Sequence, residues 1–167
     1  AVCLADLGHK IVCLDIDTTK VERLSTGKVD IEEPGLTELL ARNLEAGRIR
    51  FDSDPDVALK DAEIAMVCVD TPVLPGQKPN LTNLMAAIGS VAEHGGDVTT
   101  VVLRSTVPPG TCLAVSERLA EIIGNGRMAV VSHPEFFQEG SAVSDCQDPV
   151  RIVVGSRDKA AAAGVAD

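Results

Sequence analysis

The sequence contains no tryptophan, no tyrosine and only three phenylalanines, so aromatic side chains contribute little to its interior. Hydrophobic residues nevertheless make up 45% of the 167 residues. A chain of this length can bury enough surface to form one α/β domain. We therefore expect a globular fold whose core is built from Val, Ile, Leu and Ala.

Basic residues are also scarce. The chain has 15 Lys and Arg against 25 Asp and Glu, a formal net charge of -10. Binding to a nucleic-acid backbone needs clustered Lys and Arg, so we expect no nucleic-acid partner. A small nucleotide ligand stays possible, because backbone N–H groups at a helix N-terminus can hold a pyrophosphate without a basic side chain.

The five cysteines form no CxxC pair and no Cys/His cluster with zinc spacing, which predicts neither a metal site nor a disulfide framework. Cys3, Cys13 and Cys68 lie in apolar runs and are expected to be small core residues. There is no apolar run of membrane-spanning length and no signal-peptide pattern. These absences predict a cytoplasmic protein with no membrane partner and no metal.

Short β-branched runs alternate with helical patterns along the chain. Strands are predicted over residues 10–15, 49–51, 63–69, 98–104, 128–131 and 151–154, and helices over residues 1–7, 18–24, 36–45, 54–61, 81–94, 110–123 and from residue 160. This alternation predicts an α/β fold, a doubly wound Rossmann-like parallel sheet covered on both faces. We assign residues 1–156 to this domain and 157–167 to the start of a linker to further domains.

Asp15 ends the first visible strand. In doubly wound folds the ligand lies beyond the carboxyl ends of the strands, where an acid accepts hydrogen bonds from the adenosine ribose and repels a 2′-phosphate. Asp15 therefore predicts NAD rather than NADP, although a solvated acid at a strand end is the alternative interpretation. The acid normally follows a glycine-rich turn by about 20 residues, so we expect that turn and the first strand to precede Ala1. On that expectation we predict that the 167 residues alone bind NAD weakly or not at all, because the helix N-terminus that would hold the pyrophosphate is missing.

Hydroxyl side chains follow the next two strong strands, in the segments VDTP (residues 69–72) and STVP (residues 105–108). Thr71 and Thr106 are suited to contacts with a nicotinamide ribose or a phosphate. Either segment alone could be an ordinary capping turn. Together with Asp15 they predict one dinucleotide crevice.

The segment SHPEFFQEG (residues 132–140) places Glu135 and Glu139 on either side of Phe136 and Phe137. If the segment were helical, the two carboxylates would share a face, and a carboxylate beside apolar rings can have its pKa raised toward that of a general base. A solvated acidic turn is the alternative, and His133 is more often a structural hydrogen-bonding residue than a catalyst.

Taken in order, six strings resemble the N-terminal domain of the UDP-glucose and GDP-mannose 6-dehydrogenases: LADLGHKIVCLDID, IEEPGLTELLARNLEAGRIRF, VCVDTP, RSTVPPGT, HPEFFQEGSAVSD and DPVRIVVG. The resemblance covers nearly the whole chain. RSTVPPGT is similar to the GDP-mannose enzymes, whereas LARNLEAGRIRF is similar to bacterial UDP-glucose enzymes, which we favour slightly.

The resemblance implies roles for individual residues. Asp15 and Lys20 match positions that bind the adenosine ribose of NAD, and Thr71 and Thr106 match positions that line the NAD site; Thr106 is also a candidate catalytic residue. Glu135 matches the proposed general base that helps to hydrolyse a thioester, and Glu139 matches a residue near the reacting sugar. Phe136 and Phe137 match a segment that cradles the substrate.

The resemblance also implies NAD-dependent oxidation of a nucleotide-sugar C6 alcohol to a carboxylate in two steps, by a homodimeric enzyme. The nucleophilic Cys, the Lys and the Asn of that family lie in later parts of its chain, so we expect these 167 residues alone to be an inactive fragment. Asp70, Asn80, His133 and Gln138 depart from the usual pattern, which puts sugar specificity in doubt more than fold. Another Rossmann dehydrogenase, of the 2-hydroxy-acid or 6-phosphogluconate type, and a non-catalytic nucleotide-binding module are the alternatives.

Overall fold

The computed structural model describes residues 1–73 and 75–166. Leu74, in the loop predicted over residues 71–80, and Asp167, the last residue of the predicted linker, lie outside the described residues. The elements in chain order are α1 (Val2–Asp6), β1 (Ile11–Leu14), α2 (Thr18–Ser25), α3 (Leu36–Glu45), β2 (Ile49–Asp52), α4 (Pro55–Ala58), β3 (Ile64–Val67), α5 (Thr82–His94), β4 (Thr100–Leu103), α6 (Thr111–Ile123), β5 (Ala129–Ser132), α7 (Ala142–Gln147), β6 (Gly155–Ser156) and α8 (Lys159–Ala166).

The chain forms two compact units. The first contains residues 1–58 and 136–151, and the second contains residues 59–135 and 152–167. The first unit therefore holds β1, β2 and the helices α1 to α4 and α7. The second unit holds β3 to β6 with α5, α6 and α8.

In the first unit, β1 and β2 pair in parallel, with Ile11 opposite Ile49. Its buried core comprises Ala5, Leu40 and Ile49. The apolar stripe of α3 faces this core, and the helix ends where Gly47 adopts a φ of +63°, a left-handed conformation that glycine reaches without strain. Leucine spacing and a terminal glycine together account for this helix.

In the second unit, β3, β4 and β5 form a parallel sheet in that order. All four residues of β4 are buried, as expected for the middle strand of a sheet packed on both faces. The larger core lies here and includes Leu84 and Ile88 of α5, Val101 and Leu103 of β4, and Val115 of α6. The α/β fold class with predominantly parallel sheets is confirmed.

The last predicted strand is wrong. Residues 151–154 are not in a strand; β6 follows them and pairs antiparallel with β5, with Ser156 opposite Val131. Ile152 and Val153 are exposed, so their β-branched side chains pack against no sheet face. The hydroxyl of Ser156 instead donates a hydrogen bond to Val130 O at 2.8 Å, which helps to place β6 beside β5.

The expectation that Cys3, Cys13 and Cys68 are core residues is met in part. Cys13 is partly buried and packs against the core of the first unit, Cys3 is partly buried, and Cys68, directly after β3, is exposed. All five cysteines are free thiols. In the described ranges, no helix combines the length and apolar character needed to cross a bilayer.

Candidate functional site

Asp15 lies directly after β1, in the first unit, and its carboxylate is held by two donors. The Asp17 N–H donates to Oδ1 at 3.0 Å, and Lys20 Nζ lies 2.5 Å from Oδ2. Asp17 in turn caps α2 by accepting the Lys20 N–H at 3.1 Å. The turn after β1 and the first turn of α2 thus present one carboxylate in a defined orientation.

These contacts set the ionisation of Asp15. Partial burial opposes the charged form, but the hydrogen bonds from Lys20 and the Asp17 N–H outweigh it, and the pKa of Asp15 lies below its ordinary value. The carboxylate is therefore ionised at neutral pH. Its oxygens carry more lone pairs than the two observed donors use, so it can still accept ribose hydroxyls, and this chemistry fits the adenosine end of NAD.

In the second unit, the segments that follow β3 and β4 are bound to each other. Thr71 Oγ1 donates to Thr106 O at 2.8 Å, and Ser105 Oγ donates to Val69 O at 2.6 Å. The structure therefore brings Thr71 and Thr106 together, as expected for neighbouring parallel strands that end at one edge. The Thr71 hydroxyl donates its proton in this bond, so it can bind a ligand only as a hydrogen-bond acceptor. Thr106 is exposed.

Glu135, also in the second unit, is exposed and follows β5 by three residues. Arg104, whose guanidinium donates to His133 O at 3.2 Å, and Glu135 both lie near the thiol of Cys68. Desolvation raises the pKa of Cys68, the charge of Arg104 lowers it and that of Glu135 raises it, so that the net direction is upward. Cys68 therefore stays a protonated thiol at neutral pH.

The segment around Glu139 is not helical, which corrects the conditional expectation that Glu135 and Glu139 share a helix face. Gln138 begins a turn that closes with the Ser141 N–H donating to Gln138 O at 3.1 Å. Gly140 has a φ of +84°, outside the helical region. The backbone N–H groups of Gln138 and Gly140 donate hydrogen bonds to carboxylates. In a helix these groups would instead donate to backbone carbonyls of the preceding turn.

The two phenylalanines lie in the first unit and are both partly exposed. The guanidinium of Arg151 stacks over the Phe136 ring at 4.2 Å from its centroid, a cation–π contact. One face of the ring is thus held by a cation, and 43% of the surface of Phe136 is exposed.

The structural interpretation of His133 is supported. Its Nδ1 lies 3.0 Å from Val153 O and donates to it, because a carbonyl oxygen only accepts. The contact joins the segment after β5 to the one before β6. Within the described part of the chain, no group of three or more His, Cys, Asp or Glu residues is arranged to hold a metal ion.

The predicted site residues therefore form local clusters. Asp15 with Lys20, and Phe136, Phe137 and Glu139, belong to the first unit; Thr71, Thr106 and Glu135 belong to the second. Their joint action on one dinucleotide and one sugar stays a prediction. Four residues of these clusters were not predicted from the sequence: Glu33, Arg104, Asp145 and Arg151. Each makes its contact with a residue far along the chain or with a backbone group.

Comparison with known proteins gives consistent results. The model of the UDP-glucose/GDP-mannose dehydrogenase family, NAD binding domain, matches residues 1–167. A UDP-glucose 6-dehydrogenase of Rhizobium meliloti (strain 1021) is 39% identical over 155 residues, which are 92% of this chain and 36% of the relative. The chain thus spans little more than a third of the length of such relatives.

Two solved structures share the fold closely. A UDP-glucose dehydrogenase from the hyperthermophilic archaeon Pyrobaculum islandicum superposes with a TM-score of 0.91 at 39% identity, covering 98% of this chain and 39% of that one. A ternary complex of GDP-mannose dehydrogenase from Pseudomonas aeruginosa gives a TM-score of 0.92 at 30% identity, covering 99% of this chain and 39% of that one.

Proposed function

The chain belongs to the UDP-glucose/GDP-mannose dehydrogenase family, whose NAD-binding domain it matches along its whole length, and from this premise we propose that the gene product containing it is an NAD-dependent nucleotide-sugar 6-dehydrogenase. The proposed reaction oxidises the C6 alcohol of the sugar to a carboxylate. Two hydride transfers to NAD are needed, since an alcohol must lose four electrons to become a carboxylate.

One observation supports this proposal above the others: the carboxylate that follows β1. Asp15 is held ionised by Lys20 and the Asp17 N–H, in the place where a dinucleotide fold contacts the adenosine ribose. A carboxylate there favours NAD, because it would repel the 2′-phosphate of NADP. NAD bound by these residues supplies the hydride acceptor.

The remaining roles extend the same proposal. Thr71 and Thr106 line the NAD site, with Thr106 the better placed to donate because its side chain is exposed. Glu135 acts as a general base toward water, and Thr106 assists at the reacting centre. Phe136, Phe137 and Glu139 contact the sugar. By the resemblance to this family, we propose that covalent catalysis is carried out by residues outside the stretch that this chain matches.

UDP-glucose is the favoured substrate and GDP-mannose the second candidate. The similarity to the Rhizobium meliloti UDP-glucose enzyme, at 39% identity, supports the first choice. The 34% identity over 171 residues to a GDP-mannose 6-dehydrogenase of Pseudomonas syringae pv. syringae supports the second. A homodimeric assembly and residence in the cytoplasm belong to the same proposal.

The test is a substrate panel assayed by NADH absorbance with the full-length gene product. We expect UDP-glucose to give the largest kcat/KM, GDP-mannose a smaller one, and a small 2-hydroxy acid or 6-phosphogluconate none. A reversed order for the two nucleotide sugars would correct the sugar assignment. Activity only with a 2-hydroxy acid or 6-phosphogluconate would contradict the proposed function. So would the absence of activity with every substrate of the panel.

A further inference from the structure

The residues before and after Glu139, in the first unit, each donate a backbone hydrogen bond to a carboxylate. The N–H of Gln138, on one side, donates to Asp145 Oδ2 at 2.9 Å. The N–H of Gly140, on the other side, donates to Glu33 Oε2 at 2.9 Å. Because peptide groups are planar, the bond from Gly140 fixes the peptide that follows Glu139. The bond from Gln138 fixes the chain one peptide before Glu139 is reached, so the two bonds together limit the rotations that direct its side chain.

Glu33 reaches this position from a distant part of the chain, 107 residues before Gly140. It lies in the turn before α3. In the same turn, a Cβ added to Gly35 would lie 3.9 Å from Cγ1 of Val143 in α7. The second carboxylate oxygen of Glu33, Oε1, is buried without a hydrogen-bond donor among the described residues. Burying a half-satisfied carboxylate costs free energy, so stability alone does not explain a glutamate at this position.

Asp145 holds the segment from the other side. Its Oδ2 also accepts the Ser141 hydroxyl at 2.9 Å, and Ser141 immediately precedes α7. The carboxylate therefore connects the turn that carries Glu139 to the first turn of the helix that follows. Charge-assisted hydrogen bonds of this kind are stronger than those between neutral groups.

We propose that Glu33 and Asp145 are positioning residues for Glu139. Glu33 acts through the peptide group between Glu139 and Gly140, and Asp145 acts through the N–H of Gln138, one peptide group further back. This inference rests on the proposed function, in which Glu139 contacts the sugar. Neither residue touches the substrate itself. Gly140 is an exposed residue, so water can replace Glu33 as the acceptor of its N–H, and we expect the loss of Glu33 to affect orientation more than folding.

The test compares Glu33→Ala and Glu33→Gln in the full-length gene product, with Glu32→Ala as the matched control. Glu32 is the exposed neighbour of Glu33 in the same turn. We expect Glu33→Ala to lower kcat for the nucleotide sugar roughly 10- to 100-fold, the range that an error of about 1 Å in position produces. Its KM for NAD and its Tm, within about 3 °C, should stay those of the wild type. Glu33→Gln, which keeps an oxygen acceptor, should restore most of kcat.

Asp145→Ala should lower kcat in the same way. Its control is Asp148→Ala, at the exposed residue directly after α7. A Glu33→Ala variant whose kinetics match those of Glu32→Ala would overturn the inference while the proposed function stands. A Glu33→Ala variant that fails to fold would show a structural role and overturn it too. An inactive wild-type protein would remove the proposed function and this inference with it.

Discussion

Asp15 and Glu33 are carboxylates of the same unit with different surroundings. Asp15 has a donor on each oxygen, from Lys20 and from the Asp17 N–H, whereas only one oxygen of Glu33 has a donor in the described part of the chain. The pKa of Asp15 lies below its ordinary value, so the carboxylate is ionised throughout the physiological pH range. In the proposed NAD site, an ionised Asp15 would repel a 2′-phosphate.

This environment predicts that Asp15→Ala weakens the preference for NAD over NADP. Losing hydrogen bonds from a charged group costs about 1.5–3 kcal/mol, so the ratio of kcat/KM values for NAD and NADP should fall roughly 10- to 100-fold. Between pH 6 and 9 the wild-type ratio should stay constant, because the titration of Asp15 lies below that window. Asp52→Asn, at the end of the neighbouring strand, is the control and should leave the ratio unchanged. An unaltered ratio in Asp15→Ala would contradict its role as selector.

At the scale of elements, α1 and α3 are joined through Asn43, which is fully buried. Its Nδ2 donates to Leu39 O at 2.8 Å and to Asp6 Oδ1 at 3.3 Å, and its Oδ1 accepts from Arg48 Nε at 2.8 Å. Arg42 binds the same Asp6 oxygen at 2.6 Å, and these bonds hold the pKa of Asp6 below its ordinary value, the Arg42 bond most of all.

Replacing Asn43 with Leu therefore removes three hydrogen bonds from a buried position while it keeps the volume similar. We expect the free energy of unfolding to fall by about 1–3 kcal/mol, the cost of leaving buried partners unsatisfied. Urea denaturation measures this change. Asn125→Leu on the exposed turn after α6 should change it by less than about 0.5 kcal/mol. Equal effects from the two variants would show that the Asn43 network contributes nothing.

Most elements could be predicted because their signals are local. Helix α3 begins and ends where leucine spacing and its flanking glycines indicate, over Leu36–Glu45. The run at residues 151–154 has the same local signal as a strand but lacks a partner in register, and pairing depends on residues far away in the sequence. The site divides in the same way: Thr71 and Thr106 were predictable from strand ends, whereas the bond from Gly140 to Glu33 spans 107 residues and leaves no local pattern.

At the scale of the whole molecule, each unit contributes different chemistry. The first holds Asp15, which we propose binds a ribose, and Glu139 with its hydrogen-bonded neighbours, and the second holds the paired threonines and Glu135. The net charge of -10 does not oppose binding of an anionic dinucleotide strongly, because at physiological salt charges farther than about 8 Å are largely screened. The family match along the full chain is consistent with this distribution of roles.

We propose that these residues serve a four-electron, NAD-dependent oxidation of a nucleotide sugar. The most direct measurement is the amount of NADH formed per molecule of UDP-glucose when the full-length gene product consumes a limiting amount of the sugar nucleotide in excess NAD. We predict two NADH for each sugar, with a carboxylate at C6 of the product. One NADH per sugar with an aldehyde as the final product, or reduction of NADP in preference to NAD, would contradict the account.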